Sequence, residues 1–252
     1  MGVVRSVAEM TLLQAFRLPV IQVRGWPQEE GESRRMSTWG DGGVKPAPWA
    51  VERFGSKAGR LASAIPLQLA RAHEQARAAH DWAGVRKRGP YGVTLAEAVR
   101  ENLADTAREL GEAVRTVRGY EYAVVNEHAL FPYRYGDRPK PLELARLPRD
   151  ASATRRRLLT GHGPEPDPGL FDIGEVSTTQ EYEELHQTFE ELGASTRVVC
   201  VFFTADRERG VHAVHWGVAR LEPDRYFTWL HRQELPVAPR PLDGRPGGAS
   251  AS

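Results

Sequence analysis

The chain has 252 residues, 40% hydrophobic and 27% charged, with a formal net charge of +1 at pH 7. That is the composition of an ordinary soluble globular protein, long enough for one large domain or two small ones. It contains no run approaching the roughly 18 apolar residues that cross a bilayer, and its single cysteine, Cys200, excludes an intrachain disulfide and a multi-cysteine zinc site.

Residues 1–50 read as a peripheral segment. Val7 to Phe16 has the pattern of a short amphipathic helix and Leu18 to Val23 that of a short strand. Gly25 to Pro48 is rich in Gly, Pro, Glu and Ser without an apolar period, as in a linker. No signal-peptide core opens the chain, so a cytoplasmic location is expected.

A single α+β domain is predicted over residues 51–235. Leu61, Ile65, Leu69, Ala72, Ala76, Ala79 and Ala83 recur at helical spacing, and Pro66 is placed in the first turn, where a missing N–H costs little. The alanines imply close approach of a neighbour. This helix is expected to end near Gly89-Pro90. A second is expected to begin at the capping box Thr94/Glu97, with Leu95, Val99, Leu103, Leu110, Val114 and Val117 on one stripe and Gly119 as its stop.

Tyr120–Val125 and Leu130–Tyr135 read as a hairpin turning at Asn126-Glu127-His128, with Pro132 making the return an edge strand or ending it. One or two short basic helices follow over 141–160. After an acidic loop, a second capping box, Thr178/Glu181, opens a helix over 179–192. Arg197–Thr204 is bulky and apolar, as a central strand should be, and Val211–Leu221 and Tyr226–Leu230 complete a meander. The result is a sheet of about five mainly antiparallel strands (the hairpin at 120–135 and the meander at 197–230) with four or five helices. The tail 236–252 is expected to be disordered.

Charge is sorted along the chain. Residues 161–196 contain nine acids and no Lys or Arg, whereas Arg53–Arg88 carries eight basic residues against two acids and Arg134–Arg157 eight against three. Arginine outnumbers lysine by 30 to four, which reflects either GC-rich coding or a use of bidentate phosphate contacts.

The common chemistries lack their signatures. No Walker A sequence, no GxGxxG after a strand and no GxSxG elbow occurs. Glu183 and His186 make one Glu-x-x-His, where a di-iron bundle needs two. His73 and His80 would lie about 10 Å apart along a helix, and His212 and His215 on opposite faces of a strand. No metal and no cofactor is therefore expected, and Cys200 reads as a buried, inert thiol.

Two resemblances can be stated on particular residues. A helix followed by the hairpin 120–135 resembles the start of a restriction-endonuclease-like core. That family places a carboxylate on the first strand and an acidic-x-Lys on the next, to hold a metal that activates water. Glu121 stands in the first slot, but Pro132 occupies the second acid position and Arg134 the lysine position, so the likeness implies a degenerate site. Separately, Ala79-His80-Asp81, Arg86, Pro90-Tyr91-Gly92 and Thr94, with Val124-Val125-Asn126 and Leu170-Phe171-Asp172, resemble a family of actinobacterial proteins with no established activity. That likeness implies a bacterial host and no particular reaction.

Three functions follow as expectations. The first is non-catalytic nucleic-acid binding through Arg71, Arg77, Arg86, Lys87, Arg88, Arg155, Arg156 and Arg157, with Trp82, Tyr91, Tyr133 and Tyr135 as stacking aromatics. These cations could equally be solvated helix faces or pair with the acidic segment. The second is a protein-interaction module, a homo-oligomer or the subunit of a complex, docking through the acidic helix 179–192. The third is an enzyme without a recognisable motif, with His80, Asp81, Glu121, His128 and His215 as acid–base candidates.

Overall fold

The computed structural model describes residues 43–87, 89–165 and 190–237. They belong to a compact unit beginning at Gly42. Its elements are α1 (Pro48–Phe54), α2 (Ala58–Ala83), α3 (Gly89–Glu109), β1 (Ala113–Val117), β2 (Tyr120–Val125), β3 (His128–Gly136), α4 (Ala153–Gly161), β4 (Arg197–Asp206), β5 (Gly210–Leu221) and β6 (Phe227–Leu235). The fold is α+β, and the strands form one six-stranded sheet in the order β1-β2-β3-β4-β5-β6. Every neighbouring pair is antiparallel except β3 and β4, which run parallel. Two three-stranded meanders are thus joined edge to edge, and the parallel joint requires the long crossover that carries α4.

β4 shows why the sheet is covered on both sides. Val199, Val201, Phe203 and Ala205 alternate with Val198, Cys200, Phe202 and Thr204, and all eight are buried. The first set packs with Leu61, Ile65, Leu69 and Ala72 of α2 and with Leu95, Val99 and Leu103 of α3. Val198, Cys200 and Phe202 pack with Leu158 and Leu159 of α4 and with Leu142, Leu147 and Phe227. Strand alternation therefore puts α2 and α3 on one face and α4 on the other.

The helical region departs from expectation in four places, the first being that α2 ends at Ala83, capped by the left-handed Gly84, rather than near Gly89-Pro90. Pro66 lies in the interior of α2, because the helix starts at Ala58 and so buries Ala58, Leu61 and Ala62. That burial offsets the lost i−4 hydrogen bond of an interior proline, about 3 kcal/mol. α3 begins at Gly89, so Thr94 falls inside it rather than at its cap. Residues 113–117 form strand β1 rather than the end of a helix. The chain reverses at Gly111 (φ 71°), which ends α3, and Gly119 (φ 80°) turns β1 into β2. The alanine face of α2 does admit a close neighbour: Asn102 of α3 donates to the Gln68 carbonyl (3.3 Å) and to Gln75 Oε1 (3.0 Å).

Trp49 and Ala50 of α1 are core residues. Trp216 is fully buried between Phe54, stacked at 5.5 Å, and Trp49 at 4.9 Å. Gln233 closes this corner: its Oε1 accepts from Trp216 Nε1 (3.0 Å) and Ala47 N–H (2.8 Å), and its Nε2 donates to the Lys45 carbonyl (2.8 Å). Gly217 beside Trp216 has no room for a Cβ against the backbone of His231 and Arg232.

Cys200 is fully buried, and that burial pushes its thiol up to about 12. The reactive thiolate is therefore scarce near neutral pH. Treatment of the native chain with iodoacetamide at pH 8 should leave Cys200 unmodified, with one equivalent incorporated after denaturation. Mass spectrometry of the two samples checks this.

Candidate nucleic-acid interface

The β2–β3 hairpin closes on Asn126-Glu127, both with positive φ (46° and 61°), as a two-residue type I′ turn requires. Its strands pair only at Val125–His128 and Val124–Ala129. β3 then continues to Gly136 beside β4, while β2 pairs with β1 along its other edge. From Leu130 onward β3 therefore has a strand on one side only. Pro132 lies on this stretch, and alternation from the closing pair turns its nitrogen toward the fork, where it leaves no N–H unsatisfied. The expectation that Pro132 marks an edge holds locally, within an otherwise internal strand.

The fork opens a cleft of about 200 Å³ between the helices of both faces. α3 contributes Gly92, Leu95, Val99 and Arg100, β3 contributes Phe131 to Arg134, and α4 contributes Arg155. The Tyr122 ring stacks in parallel with Phe131 (centroids 6.3 Å apart) across the fork. Three guanidinium groups from three elements line the opening. Arg100 lies over the Tyr120 ring at 4.4 Å, and its charge opposes the upward push of burial on the Tyr122 phenol. Arg134 donates from Nε to the Ala205 carbonyl (2.9 Å) and lies 5.8 Å from the Tyr91 ring. Arg155 is exposed. Among the described residues no carboxylate pairs with any of the three.

The phenols around these cations stay protonated. Burial raises Tyr122 and Tyr133, and the nearby positive charges of Arg100 and Arg155 only partly counter it. Tyr91 is pushed up to about 12 by burial, against the opposing charge of Arg134. Its hydroxyl donates to the Asp206 carbonyl (3.1 Å) and lies 2.9 Å from His73 Nδ1. Arg134 also borders a second, polar cavity of about 330 Å³ formed with Tyr91, Arg138 and the Asp206–Arg209 turn. There the Asp206 carboxylate accepts from His212 Nε2 (2.8 Å) and from the N–H groups of Glu208 and Arg209.

The sequence-predicted cations divide between the two faces of the sheet. Arg71 and Arg77 lie on α2, where Arg77 pairs with Glu74 (2.9 Å), and Arg86 and Lys87 are exposed in the following turn. Arg88 lies outside the described residues. Arg155, Arg156 and Arg157 lie on α4, across the sheet from that group. Only Arg155 reaches the cleft; Arg156 lines a separate groove, and Arg157 is half-buried. Of the acidic segment, residues 166–189 lie outside the described residues, with Glu183, His186 and the Thr178/Glu181 box. Among its described acids, Glu165 pairs with Arg220 (2.8 Å) and Glu191 accepts from the Arg118 N–H (2.9 Å).

The acid–base candidates are dispersed. His80 is buried and bonds the Lys87 carbonyl (3.1 Å) and Arg207 (3.2 Å), with the exposed Asp81 at 3.8 Å. Glu121 is held by Arg108. His128 sits at the hairpin turn, 2.6 Å from the Asn126 carbonyl, and His215 lies on β5. Burial lowers both histidines. Among the described residues no group of three or more His, Cys, Asp or Glu side chains is placed to hold a metal, and no helix is long and apolar enough to cross a membrane. No protein-family model, curated protein or solved structure matches the chain.

In the sequence Arg134 stands out only as the start of the basic stretch 134–157 and in a nuclease lysine slot, and Arg100 does not stand out. The available signal for Arg100 is its position directly after Val99, at the edge of the α3 apolar stripe. There a long side chain can run over the core and hold its charge at the rim.

Proposed function

We propose that this chain is a cytoplasmic, non-catalytic nucleic-acid-binding protein and that an unpaired strand lies in the fork between β2 and β3. The supporting observation is the convergence there of Arg100, Arg134 and Arg155, none matched by a described carboxylate, beside Tyr120 and Tyr133. Guanidinium groups take phosphate oxygens bidentately, and half-exposed aromatic rings stack on bases whatever their identity. A cavity of about 200 Å³ suits a single flat ring system and is far too small for a duplex. The positions that a metal-dependent nuclease fills with a carboxylate and a lysine hold Pro132 and Arg134, which favours holding a strand over cutting it.

Fluorescence anisotropy with a labelled 12-nucleotide strand tests this reading. With three phosphates neutralised, log K should fall against log salt with a slope of about −2 between 50 and 200 mM. A salt-independent affinity, or a duplex bound more tightly than its separated strands, would refute it.

A further inference from the structure

α4 carries neighbouring arginines that serve different places. Arg155 lines the cleft, whereas Arg156 lines a surface groove of about 570 Å³ shared with Leu147, Arg149, Leu221, Pro223 and Arg225. Arg146, on the same crossover as Arg149, lies over the Tyr226 ring at 4.8 Å. Three arginines from three segments thus line one groove: Arg149 from the crossover, Arg156 from α4, and Arg225 from the β5–β6 turn; the charge of Arg146 also acts on Arg225.

The surrounding backbone holds this arrangement in place. Arg146 bridges Tyr226 as an isolated antiparallel pair, and Leu147 N–H donates to the Arg225 carbonyl at 2.9 Å. The Arg146 Nε donates to the Asp224 carbonyl (3.1 Å), Arg225 Nη1 to the Leu147 carbonyl (3.4 Å), and Arg156 Nη2 to the Arg149 carbonyl. All these partners are neutral carbonyls. The one carboxylate lining the groove, Glu222, is engaged by Arg220 (2.9 Å). Among the described residues no acid neutralises the four cations.

Two further observations mark the cost of the cluster. Arg225 has φ 71°, a left-handed conformation that glycine adopts without penalty and arginine does not. Its guanidinium is also lowered from the usual arginine range, by desolvation first and then by the charges of Arg146, Arg149 and Arg156. Like charges brought together at a strained turn call for an anion between them.

We propose that the groove bounded by Arg149, Arg156 and Arg225 is a binding site for a phosphate dianion, separate from the strand cleft. The chemistry fits either free phosphate or the terminal phosphate of a nucleic-acid strand. The site stands on its own geometry and does not require the cleft to hold a strand.

Isothermal titration of the full chain at low ionic strength, with inorganic phosphate as the probe, tests the proposal. Arg225→Gly is the most informative variant, because it removes one cation and at the same time suits the left-handed turn. It should weaken phosphate binding about tenfold, the loss of one charge-assisted contact, without lowering Tm. Arg149→Gln with Arg156→Gln should weaken it further, and Arg155→Gln should leave it unchanged. Comparing 5′-phosphorylated with 5′-hydroxyl strands assigns the source: preference for the phosphorylated end supports a strand terminus, and equal binding of the two with retained phosphate binding supports free phosphate. Millimolar phosphate without measurable heat, an Arg225→Gly variant that binds like the parent, or tighter binding of a Glu-rich peptide than of phosphate would overturn the proposal.

Discussion

Changing Arg134 and Arg155 together to glutamine is expected to lower the affinity for an unpaired strand on the order of a hundredfold, with the Arg71→Gln/Arg77→Gln double variant changing it less than about threefold. Each hydrogen bond between a charged group and its partner contributes about 1.5–3 kcal/mol. Losing two therefore costs at least about 3 kcal/mol, or roughly two decades in Kd. The control pair separates local from general electrostatics, because Arg71 and Arg77 of α2 do not line the cleft. Arg155 is exposed and has no described carboxylate partner, so its replacement should leave the fold intact. Arg134 does hold the Ala205 carbonyl, so Arg155→Gln alone serves as the variant that should not alter stability. Anisotropy titrations at fixed salt provide the measurement. Equal losses in the two double variants would place binding in overall charge rather than in the cleft.

Trp216→Ala should be the most damaging single change to stability. The indole is fully buried between Trp49 and Phe54, and its N–H is one of two donors to Gln233 Oε1. Truncating a buried aromatic side chain to alanine costs about 3–5 kcal/mol, a large share of the 5–15 kcal/mol that holds a typical domain together. Trp216→Phe retains most of the ring contacts and should cost less than half as much. Urea denaturation followed by far-ultraviolet circular dichroism distinguishes them by their midpoints. A Trp216→Ala midpoint equal to that of the parent would mean that α1 is not packed on β5 as described.

Much of the architecture can be read from local chemistry. The nearly all-apolar run at 197–204 is a central strand because both of its faces are buried. The hairpin at 120–135 is visible because Tyr120, Tyr122 and Val124 alternate with Glu121, Ala123 and Val125 on the way to a turn. β1 was read as helix because Val114 and Val117 continue the spacing of Leu103 and Leu110. A spacing of three or four residues does not reveal that Gly111 adopts positive φ and reverses the chain. Pro66 differs for a related reason: local rules put proline in a first turn, and only the core contacts of Ala58, Leu61 and Ala62 extend the helix before it.

Charge sorting was likewise legible, but the grouping of charges was not. Arg100, Arg134 and Arg155 lie far apart in the chain and meet only because β2 and β3 separate after two residue pairs, exposing a gap that both helical layers reach. Arg156, one residue from Arg155, faces a different groove because neighbouring helical positions point about 100° apart. Periodicity, turns and the single buried thiol follow from interactions between near neighbours, so the residues alone carry them. The parallel joint of β3 with β4, the fork beside it and the partners of each guanidinium depend on closing long loops against a shared core, and no local pattern encodes that balance.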